Sequence, residues 1–247
     1  RLAVPPDLEK TRFDDPSMAR RFNAMMDFVM SRIPDVQLAV LYIGSEIDIY
    51  LGSDEAKWRQ YDSFYQATRS HLKTRRPDLK VGVETTFAAL TRNPTRAFLQ
   101  NLNQRSEVIG VSYYHLNEKT GAVADPKEMH AVFGEITTAY PQKPIYFHQL
   151  GCPTSPVLGS SEAAQREFIR ETFKAWDAHL SQVKFISFVW LTDRSPDALD
   201  SFKKYYGLSD KGFVEFLRTL GFRTYPGSGA DKEAFRALQA EAAARGW

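Results

Sequence analysis

The chain has 247 residues, 43% of them hydrophobic and 13% aromatic, enough for a sizeable core in one large domain or two small ones. A net charge of +2 supplies no broad basic field for nucleic acid, and no apolar run reaches the roughly 18 residues of a membrane span. Cys152 is the only cysteine, which excludes an intrachain disulfide and a cysteine-based zinc site.

Apolar, β-rich runs alternate with amphipathic stretches. Leu2 to Pro5 reads as a short strand. Asp15-Pro16 has the form of an N-cap with proline at the first helical position, and predicts a helix to Arg32 with an apolar stripe of Phe22, Met25, Met26, Val29 and Met30. The run "LAVLYIGSE", Leu38 to Glu46, predicts a strand ending in polar residues. A long helix follows over 54–74, with Trp58, Tyr61, Phe64, Tyr65, Thr68 and Leu72 at helical spacing. The basic cluster Lys73 to Arg76 falls at its end, where it complements the dipole.

A strand over Lys80–Phe87, a helix over Pro94–Asn103 and a strand over Val108–Tyr114 come next. Pro126 to Tyr140 is helical. "KPIYFHQLGCPTSP" contains a strand from Ile145 that runs into His148 and Gln149 and then a turn. A helix with a serine N-cap spans Ser160–Leu180, and Lys184 to Leu191 is the last strand. Two helical pieces, around Ser209–Leu220 and Asp231–Ala244, close the chain.

Continuous apolar strands alternating with helices indicate a parallel sheet, either open and doubly wound or closed as a barrel. Gly82, Gly110 and Gly151 are isolated, so no phosphate loop follows a strand. Ser155 and Ser160 lack the Gly-x-Ser-x-Gly setting of a serine hydrolase, and the histidines show no metal-ligand spacing. Several strands end in polar or aromatic residues: Ser45-Glu46, Glu84, Tyr113-Tyr114, His148-Gln149, and Trp190 with Asp193. Open sheets gather ligands at one switch point, whereas barrels gather residues from many strand ends, so this distribution favours a barrel.

These motifs resemble clan A glycoside hydrolases. "LAVLYIGSEID" is similar to the clan's fourth strand, where an Asn-Glu pair supplies the acid/base. "KPIYFHQLGCPTS" is similar to the seventh, where glutamate is the nucleophile. "SSEAAQREFIRETFKAWDA" and "FISFVWLTD" resemble the following helix and the eighth strand, and the galactanase-like branch is nearest. The resemblance implies an α/β fold, a single TIM (β/α)8 barrel domain over residues 1–247 with strands three to eight visible. Strands one and two are expected to lie before Arg1, in sequence this chain does not contain. It further implies a retaining mechanism on a β-linked oligo- or polysaccharide, no metal or organic cofactor, a carbohydrate partner and a secreted or periplasmic setting.

Glu46 then takes the acid/base position and Gln149 the nucleophile position. Ser45 stands where the clan has asparagine. Tyr114 corresponds to the tyrosine that hydrogen-bonds the nucleophile, and Trp190 to the tryptophan that floors the sugar site. Asp48, Glu84 and His148 are candidate sugar contacts. Retaining hydrolysis needs two carboxyl groups about 5–5.5 Å apart. A glutamine amide is neutral and a poor nucleophile, so this chain is expected to be weakly active or inactive. Three alternatives remain at this stage: a carbohydrate-binding protein without turnover, a second carboxylate supplied by Glu84 or Asp193, and an unrelated barrel enzyme using Glu84 and His148.

Overall fold

The computed structural model describes residues 4–247. Five strands, β1 (Val40–Tyr42), β2 (Lys80–Thr86), β3 (Val108–Tyr114), β4 (Ile145–Gly151) and β5 (Val183–Phe188), form one parallel sheet in chain order. β1 and β2 pair in register Val40 with Lys80 and Tyr42 with Gly82. Helices separate consecutive strands, which is the connection parallel neighbours require. Of the strand expected at Leu2–Pro5, Leu2 and Ala3 lie outside the described residues, and Val4 and Pro5 carry no regular structure.

The chain divides into two compact units. The first runs to Val111 and takes in Lys143–Tyr146. Its α1 (Pro16–Arg32) begins as the sequence predicts, with the Asp15 carboxylate accepting from the Ser17 N–H at 2.8 Å. The buried stripe is Met18, Met26 and Met30, with the Phe22 ring meeting Phe64 at 5.5 Å. Met25 and Val29 are 50% and 39% exposed, so they lie beyond the edge of the stripe assigned to them.

α3 (Glu55–Arg75) buries all six residues predicted for its inner face. Two of its tyrosines tie it to the sheet region: the Tyr61 hydroxyl donates to the Ile43 carbonyl just past β1, and the Tyr65 hydroxyl donates to the Val81 carbonyl of β2 at 3.3 Å. β2 is buried without interruption from Val81 to Thr85, as a strand covered on both faces must be. α4 (Phe87–Thr91), capped by the Thr86 hydroxyl, and α5 (Thr95–Asn103) follow.

The strand expected over Leu38–Glu46 is much shorter, because Gly44 (φ 92°) and Glu46 (φ 47°) leave the extended region. Glu46 instead opens a one-turn helix, α2 (Ile47–Leu51).

The second unit contains Ser112–Gln142 and Phe147–Trp247. Here α6 (Met129–Ala139) packs Phe133 on Phe147 of β4 with ring centroids 4.8 Å apart. α7 (Glu162–His179) is capped by Ser161, whose Oγ accepts from the Ala164 N–H at 3.1 Å. Its buried Gln165 donates through Nε2 to the carbonyls of Cys152 at 2.7 Å and Leu220 at 3.2 Å.

β5 stops at Phe188, short of its expected end at Leu191. The chain then forms three helices where two were predicted: α8 (Pro196–Tyr206), α9 (Lys211–Arg218) and α10 (Glu233–Ala244). α8 carries a Ser195 cap, proline at its first position and Gly207 at its end.

Candidate functional site

In the first unit the predicted residues sit at the ends of β1 and β2. Ser45 is exposed and Glu46 half-buried. Glu46 is the one non-glycine residue with positive φ among the described residues (φ 47°, ψ 39°). In this left-handed region Cβ crowds the following carbonyl, a cost of about 1–2 kcal/mol. Strain of this kind persists where surrounding structure over-determines it, and clusters at functional positions.

Asp48, expected as a loop cap or a sugar contact, is a buried brace. It is 7% exposed, and its two oxygens accept from the Thr86 N–H at 3.0 Å and the Thr86 hydroxyl at 2.7 Å. Burial raises its pKa above the usual carboxylate value, against the lowering effect of those two bonds. The bonds lock the β1 turn to the end of β2.

Glu84 is 1% exposed, so it faces packed surroundings and not an open rim. Its neighbour is Tyr42, whose phenol is held above its usual pKa first by burial and then by the charges of Glu84 and Tyr146. Gly110 makes this packing possible. A Cβ there would come within 2.6 Å of the Tyr42 ring and 2.9 Å of the Glu84 Cα.

In the second unit the Tyr114 hydroxyl on β3 donates to Gln149 Oε1 on β4 at 2.7 Å. The Tyr114 ring is held edge-on by Phe216, with centroids 4.9 Å apart, and lies over Gly151, where an added Cβ would meet it at 3.1 Å. These contacts fix the hydroxyl, and the hydroxyl fixes the head of Gln149. His148 is exposed. Tyr113 turns elsewhere, its hydroxyl 3.1 Å from His115 Nδ1. Cys152, next along the chain, is fully buried, and burial pushes its thiol up to about 12, which leaves it unreactive.

Trp190 is half-buried and follows a cis peptide from Val189. Its segment is pinned by backbone pairing. The Val189 N–H donates to the Leu150 carbonyl, and the Phe222 N–H to the Trp190 carbonyl, both at 3.0 Å. Asp193, considered as a second carboxylate, is part of the same support. It accepts from the Gly221 N–H at 3.0 Å and from Lys232 Nζ at 2.7 Å, and Lys232 is itself buried. Burial raises the Asp193 pKa in spite of the lysine. These bonds make Asp193 a structural anchor.

The sequence reading missed three residues around this tryptophan and tyrosine: Arg194, Phe202 and Phe216. The Arg194 guanidinium lies 3.6 Å over the Trp190 ring, and Phe202 stacks with that ring at 5.8 Å and 10°. The cap-proline pair Ser195-Pro196, followed by Leu199, Phe202 and Tyr206, was the signal that placed Phe202 on a helix face.

No family profile matches the sequence, and no curated protein matches it. Solved structures do. A GH5_18 enzyme from Streptomyces cattleya superimposes with a TM-score of 0.72 at 17% identity, over 97% of this chain and 57% of its own. The exo-β-1,4-mannosidase Op5Man5 from Opitutaceae bacterium strain TAV5 gives 0.71 at 15%, over 100% and 44%. The GH53 catalytic domain of Ignisphaera aggregans gives 0.68 at 14%, over 96% and 69%. The chain thus spans about half the length of the first two, at 57% and 44%. These neighbours are clan A glycoside hydrolases, and what the likeness establishes for this chain is its fold, the α/β architecture of TIM-barrel glycoside hydrolases.

Proposed function

We propose that this chain is a glycoside hydrolase-like protein that takes a β-linked oligo- or polysaccharide, with Glu46 in the acid/base position and Gln149 in the nucleophile position of a retaining mechanism. The observation that carries the reading is the Tyr114 hydroxyl donating to Gln149 Oε1 at 2.7 Å. A strand-end tyrosine that aims and hydrogen-bonds a neighbouring strand-end side chain is what a carboxylate nucleophile needs. The bond favours the ionised form and fixes the direction of attack. Glutamine preserves the shape and the accepting oxygen while removing the charge that attacks the anomeric carbon.

The left-handed backbone at Glu46 supports its role, as strain retained at a strand end is characteristic of functional positions. Trp190 stands at the position of the clan's sugar-site tryptophan, with the Arg194 guanidinium 3.6 Å over its ring. The fold neighbours support the substrate class: the Streptomyces cattleya enzyme was crystallised with GlcNAc and with Manβ1-4GlcNAc, and Op5Man5 is a β-1,4-mannosidase.

The neutral amide favours a second reading, a carbohydrate-binding protein that has lost turnover on the same scaffold. The two separate on one experiment: hydrolysis of a panel of aryl β-glycosides and β-glucans, galactans and mannans by the parent and by Gln149→Glu. A gain in the variant that Glu46→Gln then abolishes establishes a retaining site lacking its nucleophile. Binding without any gain favours the non-catalytic reading. A fully active parent, unimproved by the change, removes Gln149 from the nucleophile position.

A further inference from the structure

The residue that the proposed function leaves unexplained is Arg194. Its guanidinium is stacked on Trp190 and lies within electrostatic reach of Tyr114, the residue that holds Gln149. All four belong to the second unit. Among the described residues no carboxylate pairs with Arg194, and its Nε is buried without a hydrogen-bond acceptor. The acids that might have served are engaged elsewhere: Asp193 with Lys232 and the Gly221 N–H, and Glu215 with Arg218 and the Ser155 hydroxyl. Gln149 brings no charge.

A partly desolvated guanidinium without a counter-ion is unusual, since burial disfavours its charged form. The aromatic face beneath it offsets part of that cost and holds the planar fork in one orientation. A pre-oriented fork whose terminal nitrogens meet no carboxylate among the described residues recognises a planar or tetrahedral anion by paired, charge-assisted hydrogen bonds.

Accepting the carbohydrate reading above, we infer that the sugar bound at Trp190 carries an anionic substituent, a carboxylate or a sulfate ester, and that Arg194 is the residue that recognises it. The ring of Trp190 then serves the guanidinium and, through it, the ligand. Neutral sugars lack the group that completes the arrangement.

The test is equilibrium titration of the full chain at low salt with three β-linked tetrasaccharides: cellotetraose, which is neutral; a hyaluronan tetrasaccharide, which carries carboxylates; and a keratan sulfate tetrasaccharide, which carries sulfates alone. At least one acidic ligand is expected to bind about tenfold or more tightly than cellotetraose. Which of the two does so identifies the anion. Arg194→Gln should bring that ligand to within about twofold of cellotetraose, both measured on the variant. Arg194→Lys, which keeps the charge and loses the fork, guards against loss of folding and should retain only part of the preference. Equal binding of all three by the parent overturns the assignment of Arg194 and leaves the carbohydrate reading standing, as does a preference that survives Arg194→Gln. Binding of none of them overturns both.

Discussion

The two units hold their predicted site residues in opposite ways. In the first, Glu46 is a carboxylate on a strained backbone, φ 47°, at the head of a one-turn helix, and the acid beside it, Asp48, is desolvated and locked to Thr86. In the second, Gln149 is a neutral side chain in a regular strand, aimed by a tyrosine that is itself clamped by Phe216 and Gly151. One position is held by the backbone and the other by side-chain packing. The lesson is that positional precision does not require charge: in the second unit a clamped tyrosine aims a neutral amide.

The sharpest way to press this comparison is to introduce a charge at position 149. Gln149→Glu should raise β-glycoside hydrolysis by at least about 10²-fold, since a charge-stabilising group aimed at the reacting carbon contributes on that scale. In that background Glu46→Gln should lower the rate by roughly 10²–10⁴-fold, as loss of a general acid does, measured on aryl glycosides across pH.

Next in size is the support of Trp190. Lys232 is 3% exposed and paired with Asp193, so Lys232→Ala leaves a largely desolvated carboxylate without its counter-ion and should cost about 3 kcal/mol in chemical denaturation. Gly151→Ala tests the clamp. The new methyl would lie 2.9 Å from Leu220 and 3.1 Å from the Tyr114 ring, so a loss of about 1–3 kcal/mol is expected, and Gln149→Glu should rescue less activity in that background. An unaltered rescue would show that the tyrosine does not aim the side chain.

The backbone-held position gives the reverse sign. Glu46→Gly should stabilise the protein by about 1 kcal/mol, because glycine adopts the left-handed conformation without the Cβ clash. A denaturant midpoint that falls instead would count against strain at that residue.

The smallest effect is in pH dependence, and it again differs between the units. Arg218, hydrogen-bonded to Glu215, holds that carboxylate below its usual value in spite of partial burial. Its contribution is present above the usual carboxylate pKa and fades as pH falls through the lowered one. Asp48 is raised by burial, so the native state keeps its proton longer than the unfolded chain, and stability declines as pH rises from its unfolded value through its folded one. Glu215→Gln should flatten the acid limb of the stability curve, and Asp48→Asn should remove the decline on its other side.

Much of this was legible in the sequence where one periodicity dominates. The inner face of α3 and the whole of β3 were read residue for residue, because long apolar patterns outweigh local exceptions. The site was less so. Glu46 could be placed after an apolar run, but not its left-handed backbone, which is imposed by neighbours and not by its own propensity. Asp48 and Asp193 look like rim acids in one dimension, and only the partners Thr86 and Lys232 reveal them as braces. Arg194 precedes the capping serine of α8 and carries no signal of its own. Its stacking on Trp190 depends on where that helix starts, and the helix was overlooked although its cap, proline and closing glycine are all present.

The buried amide of Gln165 has a kinetic consequence. Through one nitrogen it binds the carbonyl of Cys152, just past β4, and that of Leu220, just before the segment that pairs with Trp190. An opening of α7 at that point releases both loops together. Their amide protons should therefore exchange with solvent as one cooperative group, with a shared opening free energy, and Gln165→Leu should quicken exchange in both while the rest of β4 stays protected.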